Sequence, residues 1–250
     1  MQNLRYVGKN LFVERLSIKN ILKKNKTPFY IYSGNQIAFN FLKFANTFKK
    51  TNPLICFAAK SNSNLNILRI LGKLGAGADV VSGGELLKAL KAGIRPNKIV
   101  FSGVGKTSNE IEYAIKKKIL LINAESRSEI LEIERISKLK NKVVNIGIRL
   151  NPNTDPKTLS QISTGKKENK FGVSEKEFLN LVEYSKNSNN LNLKCLSVHI
   201  GSQILNHKPY EKMLKVLEKV IKKTNFKFDY IDLGGGMGVD YENNKKFLNL

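Results

Sequence analysis

The sequence Pro53-Leu-Ile-Cys-Phe-Ala-Ala-Lys60 is followed directly by Ser61-Asn-Ser-Asn-Leu65. An apolar, strand-like run that ends in one lysine and then enters a small polar turn is typical of the carboxyl end of a parallel strand. Parallel α/β folds carry their active sites at that edge of the sheet. The chain contains 43 basic residues, so Lys60 becomes informative only through the polar residues that follow later strands.

Similar apolar, β-branched runs recur along the chain and alternate with amphipathic segments. The predicted strands cover residues 54–59, 78–82, 98–102, 119–123, 143–150, 193–200 and 230–233. The predicted helices cover residues 64–74, 84–92, 108–117, 128–139, 174–185 and 210–223. Alternation of this kind predicts right-handed βαβ units and a parallel sheet. The runs are apolar throughout, which predicts strands that are covered on both faces.

The fold class predicted from this pattern is α/β, with about seven strands of a (β/α)₈ TIM-type barrel. A doubly wound open sheet is the competing architecture. A separate piece precedes the barrel, with strand-like residues 6–7, 11–14 and 27–32 around a short helix at 17–24. A long amphipathic helix at 37–49 then leads into the strand that ends at Lys60.

Composition limits the classes of function. The net charge of +23 invites a nucleic-acid interpretation, but only seven of the basic residues are arginine and the lysines are spread over the whole chain. Nucleic-acid surfaces gather arginines and aromatic rings on one face. We therefore expect no nucleic-acid partner.

No run approaches the ~18 apolar residues of a membrane span, and no secretory signal is evident at the amino end. Cys56 and Cys195 lie in apolar runs and are interpreted as reduced core residues, with no metal site, in a cytoplasmic protein.

Three glycine-containing segments were tested against phosphate-binding motifs. Residues 234–239 and 75–80 both fail the G-x-G-x-x-G fingerprint, because valine occupies the last position. Gly105-Lys-Thr107 follows a strand, but a P-loop would need glycine at Val100. Neither a nicotinamide nor a nucleoside triphosphate site is supported.

Polar residues stand at the carboxyl ends of the predicted strands. They are Lys60, Asp79 with Ser82-Gly-Gly-Glu85, Arg149 with Asn151, His199 with Gly201-Ser202, and Gly234-Gly-Gly236. Each has a purely structural alternative, such as a turn cap, a surface ion pair or a core histidine, but their common place at one rim favours a site. Glycines at 234–236 let backbone N–H groups approach an anion. A lysine, a phosphate cradle and a flat imidazole together suit pyridoxal 5′-phosphate.

These residues belong to longer stretches that resemble the fold-type III pyridoxal-phosphate decarboxylases, and within them the diaminopimelate decarboxylase branch. The stretches cover nearly the whole chain in the expected order. They are Thr27–Tyr32, Phe57–Asn62, Gly75–Glu85, Arg149–Pro152, Ile162–Gly165, Asn169–Val173, His199–Ile204 and Leu233–Tyr241.

The resemblance implies an alanine racemase-like barrel and roles for individual residues. Lys60 would hold pyridoxal 5′-phosphate covalently, and His199 would stack on its ring; these two are the expected catalytic residues. Arg149 and Asp79 would line the ring, with Glu85 as a further candidate. Ser202 and the backbone of Gly234, Gly235 and Gly236 would bind the phosphate. The implied reaction is decarboxylation of meso-2,6-diaminopimelate to L-lysine and carbon dioxide.

The resemblance also implies parts that follow position 250 in the family. These are an eighth strand with a Glu-Pro-Gly-Arg motif and a carboxyl-terminal β-domain that completes a neighbouring subunit's site. We therefore expect a truncated chain, with residues 1–33 belonging to the β-domain and residues 34–250 forming the barrel without its last strand. The implied assembly is a homodimer, and activity of the chain alone is doubtful. Another fold-type III enzyme (arginine or ornithine decarboxylase, or an amino-acid racemase) and a non-catalytic cofactor-binding protein stay open as alternatives.

Overall fold

A computed structural model describes residues 3–154 and 171–241 of the protein. Within these residues the strands form two sheets, one antiparallel with three strands and one parallel with seven. The small sheet is formed by β1 (Leu4–Val7), β2 (Asn10–Val13) and β3 (Leu16–Ser17). Helix α1 (Ile18–Leu22) follows it, capped by the Ser17 side chain, and α2 (Gly34–Thr47) then leads to the parallel sheet.

The parallel sheet follows chain order, from β4 at one edge to β10 at the other. Its strands are β4 (Cys56–Ala58), β5 (Gly77–Val80), β6 (Ile99–Phe101), β7 (Leu121–Ala124), β8 (Val144–Arg149), β9 (Leu191–Ser197) and β10 (Tyr230–Asp232). A doubly wound sheet would reverse its order at a switch point. The uninterrupted order is that of a (β/α) barrel, so the predicted barrel of about seven strands is confirmed.

Six helices follow the strands of the parallel sheet. They are α3 (Leu65–Lys73), α4 (Gly83–Lys91), α5 (Ser108–Lys117), α6 (Arg127–Leu139), α7 (Glu175–Lys186) and α8 (Lys208–Thr224). A serine or threonine caps four of them, and in α5 Thr107 and Glu110 form a reciprocal capping box. Such caps satisfy the free N–H groups of the first turn and contribute about 1 kcal/mol each. Each cap fixes the residue at which the strand–helix turn ends and the helix begins. The caps therefore help to fix the positions of the residues in these turns, at the carboxyl edge of the sheet.

The main hydrophobic core lies between the sheet and its helices. Large side chains such as Phe101, Ile122, Ile146 and Phe178 are fully buried there. The sequence predicted strands that are apolar on both faces, but the inward face of the sheet is only partly apolar. It carries a small apolar cluster around Cys195 and, nearer the carboxyl edge, polar residues including Asn123 and Ser197. The reason is that a curled sheet encloses a narrow interior, in which small and polar side chains fit and hydrogen-bond to one another.

Residues 27–32 were predicted to be strand-like, and this is wrong. The segment has no regular secondary structure, and no strand pairs with it within the described residues. An extended segment becomes a strand only when a neighbour accepts its backbone hydrogen bonds. Helix α2 begins three residues earlier than predicted because Ser33 caps it by accepting from the Gln36 N–H. The quoted motif residues 162–165 and 169–170 lie outside the described residues.

Both cysteines are free thiols, as predicted; Cys195 is buried and Cys56 is half-buried. Burial raises the pKa of the Cys56 thiol to about 12, with the charges of Asp79 and Asp232 adding to the effect. Among the helices in residues 3–154 and 171–241, none combines the length and the apolar character needed to cross a membrane.

Candidate functional site

Lys60 lies where the sequence placed it, in a single helical turn (Ala59–Ser61) directly after β4. The residue is exposed, whereas its neighbour Ala59 is fully buried and anchors the turn in the core. Its charge acts on two other predicted site residues, since it lowers the pKa of both Asp79 and His199. The lysine therefore faces the same region as the acid and the imidazole.

Asp79 extends inward from β5, between Ala58 of β4 and Val100 of β6. Burial raises the pKa of its carboxyl group to about 6; a hydrogen bond from Ser102 opposes the shift, and the charge of Asp232 adds to it. The Oδ1 atom is buried and has no hydrogen-bond partner among the described residues. A buried acceptor without a donor is costly and is uncommon outside functional sites. Asp79 is thus a group that titrates near neutral pH and has an unused acceptor atom.

His199 follows β9, and the glycine loop after β10 holds its ring. The Gly235 N–H donates to His199 Nδ1 at 3.2 Å. Burial, together with the charges of Arg149 and Lys60, lowers the pKa of His199 to about 4. The imidazole is therefore neutral at pH 7 and offers a flat, uncharged ring beside two cations.

The glycines at 234 and 236 are required by close packing. Both have positive φ, and a Cβ on Gly234 would lie 2.7 Å from His199 Nδ1, while one on Gly236 would collide with the Gly201 carbonyl oxygen. The Gly234 N–H donates to Asp232 Oδ1 at 2.9 Å. Two of the three N–H groups predicted to bind phosphate thus already have protein acceptors. A phosphate at this loop would meet the N–H of Gly236 or replace one of these bonds.

The glycine loop and the loop after His199 are fastened together. Gln203 exchanges two hydrogen bonds with the backbone of Val239, at 2.8 and 3.0 Å. Tyr210, in the first turn of α8, donates to the Gly235 carbonyl at 2.9 Å. Ser202 lies between these contacts and is exposed. The predicted phosphate ligands therefore share one compact pair of loops.

Arg149 ends β8 and is almost fully buried. Its Nη1 atom lies 2.8 Å from Glu125 Oε1, its Nη2 atom lies 3.4 Å from the His199 carbonyl, and its guanidinium lies 5.0 Å from the Phe171 ring centre. The structure thus places its fixed charge beside the backbone of His199 at the rim of the sheet.

Asp79, Asn123, Ser197 and Asp232 form a polar layer on the inner face of the sheet, beneath the rim. Asn123 donates to Asp232 Oδ2 at 2.9 Å, and the Ser197 hydroxyl donates to the same oxygen at 2.9 Å. Sequence reasoning missed Asn123, Ser197 and Asp232 as site residues. The available signal was that each is a polar residue inside an otherwise apolar, strand-like run, as Asp79 is.

Two other residues have local structural roles. Lys106, in the segment tested as a P-loop, is buried and donates to the carbonyls of Gly103 and Asn123 and to Glu129 Oε1, at 2.6, 2.8 and 2.6 Å. Glu85 accepts from the Val81 N–H at 2.9 Å, within its own strand–helix turn. Lys106 is a cross-link between neighbouring turns.

The chain was compared with known proteins. Residues 35–250 match the model of the pyridoxal-dependent decarboxylase family, pyridoxal binding domain. Diaminopimelate decarboxylase from Helicobacter pylori is 47% identical over 228 residues, which are 90% of this chain and 56% of that protein. The enzyme of the same name from Aquifex aeolicus is 42% identical, over 96% of this chain and 57% of that protein. The chain thus spans somewhat more than half the length of these curated relatives.

Solved structures agree with the sequence comparison. The crystal structure of the Helicobacter pylori enzyme complexed with L-lysine superposes with a TM-score of 0.88 and 45% identity, covering 92% of this chain and 59% of that one. The M. jannaschii enzyme in complex with L-lysine gives a TM-score of 0.88 at 32% identity, covering 97% and 58%. With a family model that matches most of its length, this chain belongs to the pyridoxal-dependent decarboxylase family.

Proposed function

We propose that the chain takes part in the pyridoxal-phosphate-dependent decarboxylation of meso-2,6-diaminopimelate to L-lysine and carbon dioxide. The observation that carries the proposal is the grouping of Lys60, Asp79, Arg149 and His199 at the carboxyl end of the parallel sheet, where the charges of Lys60 and Arg149 act to lower the pKa of Asp79 and of His199. The substrate is taken from the names of the Helicobacter and Aquifex relatives. Because the chain covers little more than half of those proteins, the complete reaction is itself part of the proposal.

The residues at the rim fit the cofactor in three respects. Lys60 supplies an exposed amine. Asp79 Oδ1 is a buried acceptor for which the described residues offer no donor. Space around Gly235 is open, since a Cβ there would meet no atom within 4 Å, whereas its neighbours Gly234 and Gly236 are tightly packed. An open, Cβ-free position between two fixed ones suits the approach of an anion to the backbone.

The residues have separable roles in the proposed reaction. Lys60 would hold the cofactor through Nζ, and the neutral ring of His199 would pack against it. When bound, pyridoxal phosphate serves as an electron sink for the bond that breaks. Arg149 contributes a fixed positive charge that favours anionic groups at the rim. Asp79 ionises with a pKa near 6, so it is mostly a carboxylate at pH 7 and retains its charge beside Lys60.

Two further features are proposed with the activity. A homodimer is supported by the exposed apolar side chains of the amino-terminal region, such as Tyr6, Tyr30 and Phe39, which a second protein surface would cover. A cytoplasmic location is supported by the two free thiols, because secreted proteins more often pair their cysteines.

Trapping the cofactor on the protein tests the proposal. The chain is mixed with pyridoxal 5′-phosphate and reduced with borohydride, and its tryptic peptides are analysed by mass spectrometry. We expect a pyridoxyl group on the peptide that contains Lys60, and none there in Lys60→Ala. Lys91→Ala, which removes an exposed lysine from α4, is the matched control and should label like the unmodified chain. A wild-type chain without label at position 60 contradicts the proposal.

The substrate is tested separately, by carbon dioxide release from a version of the chain that is extended with the carboxyl-terminal region of a relative, because the resemblance makes activity of the chain alone doubtful. We expect release from meso-2,6-diaminopimelate and not from arginine or ornithine. Racemisation without carbon dioxide would identify an amino-acid racemase instead. Labelling at Lys60 without turnover of any of these amino acids would favour a non-catalytic cofactor-binding protein.

A further inference from the structure

We propose that Glu125 is a positioning residue that sets the orientation of Arg149 at the rim, and that it acts on cofactor binding through Arg149 alone. The inference rests on the proposed binding of pyridoxal 5′-phosphate. Glu125 follows β7 and is not among the residues that the sequence predicted for the site. Its carboxylate is nonetheless one of the most buried charges of the described residues, with 2% of its side chain exposed.

Glu125 joins the ends of neighbouring strands through a single oxygen. Its Oε1 atom accepts from Arg149 Nη1 at 2.8 Å, at the end of β8, and from the Gly103 N–H at 3.0 Å, just after β6. Arg149 in turn reaches the His199 carbonyl beyond β9. One carboxylate thereby connects the rim from β6 to β9, and Arg149 is the member that faces the other charged site residues.

Glu125 is itself held rigidly. Its backbone N–H donates to Glu129 Oε2 at 2.9 Å, and Glu129 Oε1 forms an ion pair with Lys106 at 2.6 Å. The Lys106 side chain is 1% exposed and also donates to the carbonyls of Gly103 and Asn123. A side chain supported in this way can hold its partner within the narrow range of positions that a binding site requires.

The second oxygen of Glu125 distinguishes this pair from an ion pair that serves stability alone. Glu125 Oε2 is buried and has no hydrogen-bond partner among the described residues. A structural arginine–carboxylate pair is commonly bidentate, which satisfies both oxygens. Here Arg149 directs only Nη1 to the carboxylate and turns Nη2 toward His199. The arrangement thus holds the Arg149 guanidinium between Glu125 and His199, although this leaves Glu125 Oε2 without a hydrogen bond among the described residues.

A double-mutant cycle on cofactor affinity tests the inference. The dissociation constant of pyridoxal 5′-phosphate is measured by absorbance titration for the wild type, Glu125→Gln, Arg149→Gln and the double variant. We expect each single variant to bind roughly tenfold more weakly, the scale of one lost charge-assisted hydrogen bond. If Glu125 acts only through Arg149, the double variant binds within about twofold of Arg149→Gln.

Controls separate positioning from general damage. Glu125→Asp keeps the charge but withdraws it by one methylene, so it should also weaken binding. Glu132→Gln removes a carboxylate from a largely exposed ion pair with Arg135 and should leave the affinity unchanged. If Glu125→Gln leaves Arg149 buried and unpaired and fails to fold, the double variant still decides, because both charges are gone.

Additive losses, with the double variant about a hundredfold weaker than wild type, would overturn the inference. Unchanged affinity in Glu125→Gln or in Arg149→Gln would overturn it as well. A wild type that takes no borohydride label at position 60 would instead refute the proposed function, and this inference with it.

Discussion

The outer and inner faces of the parallel sheet differ in chemistry, although the same strands build both. In β8, Ile146 is fully buried among the helices, while the next residue, Gly147, faces the interior against Asn123 and Cys195. The outer face holds large aliphatic and aromatic side chains. The inner face holds glycine, asparagine, serine and aspartate beside the small apolar cluster around Cys195. The outer face therefore stabilises the fold by apolar burial, and the inner face gives up part of that stability to hold charges near the rim.

The largest effect is expected from a substitution on the outer face of the sheet. Ile146→Ala removes buried aliphatic volume from the main core and should lower the free energy of unfolding by about 2–5 kcal/mol. Urea denaturation measures the change. The control is Val143→Ala, three residues earlier and 64% exposed, which should change stability by less than about 0.5 kcal/mol. Equal losses in the two variants would contradict the assignment of Ile146 to the core.

The next effect tests the inner face at the neighbouring residue. A Cβ at position 147 would collide with Asn123 Oδ1 and lie 3.0 Å from the Cys195 Cβ. Gly147→Ala should therefore destabilise the protein by about 1–3 kcal/mol through overpacking. Gly105→Ala is the matched control, because a Cβ there meets no atom within 4 Å. A neutral Gly147→Ala would show that Asn123 can move and that the polar layer is not tightly packed.

A third prediction concerns the charge of Asp79 on the inner face. Here the substitution is expected to raise the free energy of unfolding, whereas the first two substitutions lower it. Burial raises the pKa of Asp79 to about 6 from the ordinary value of 3.8. The folded state therefore binds the proton more tightly than the unfolded state, and stability falls as the pH rises from about 4 to 6. Asp79→Asn mimics the protonated form and should be the more stable protein at pH 8, by about 1–3 kcal/mol.

Urea denaturation at pH 4.5 and pH 8 checks this sign. The advantage of Asp79→Asn over wild type should be larger at pH 8. Glu132→Gln is the control: hydrogen bonds from Arg135 and Ser108 lower the pKa of that carboxyl to about 2, so its removal should bring no gain at pH 8. A wild type that is more stable than Asp79→Asn at pH 8 would mean that Asp79 is not a buried, destabilising charge.

The smallest effect on stability is expected at the rim. Lys60 is exposed, so Lys60→Ala should change the free energy of unfolding by less than about 0.5 kcal/mol while it abolishes labelling by pyridoxal phosphate and borohydride. Thermal melts of the variant and of Lys91→Ala measure the first quantity. A large loss of stability in Lys60→Ala alone would make Lys60 a structural residue.

Much of the fold could be predicted from local patterns. Strand β8, predicted at 143–150, is observed at Val144–Arg149, and α5 was predicted with its observed bounds. The error at 27–32 arose because an extended segment needs a partner strand, which local sequence does not reveal. The roles of Glu125 and Lys106 were missed for a related reason, since an isolated glutamate or lysine after a strand has the same sequence signal whether it is a surface charge or a buried cross-link.

The sequence alone determined the alternation of strands and helices and the positions of polar residues at strand ends, because both follow from periodicity and chain order. Tertiary structure decided which of those residues meet. Asn123 and Asp232 are 109 positions apart and share a hydrogen bond, and Glu125 reaches Arg149 across neighbouring strands. Such contacts depend on the register and curvature of the whole sheet, and the pKa of Asp79 and of His199 depends on the burial that this curvature creates.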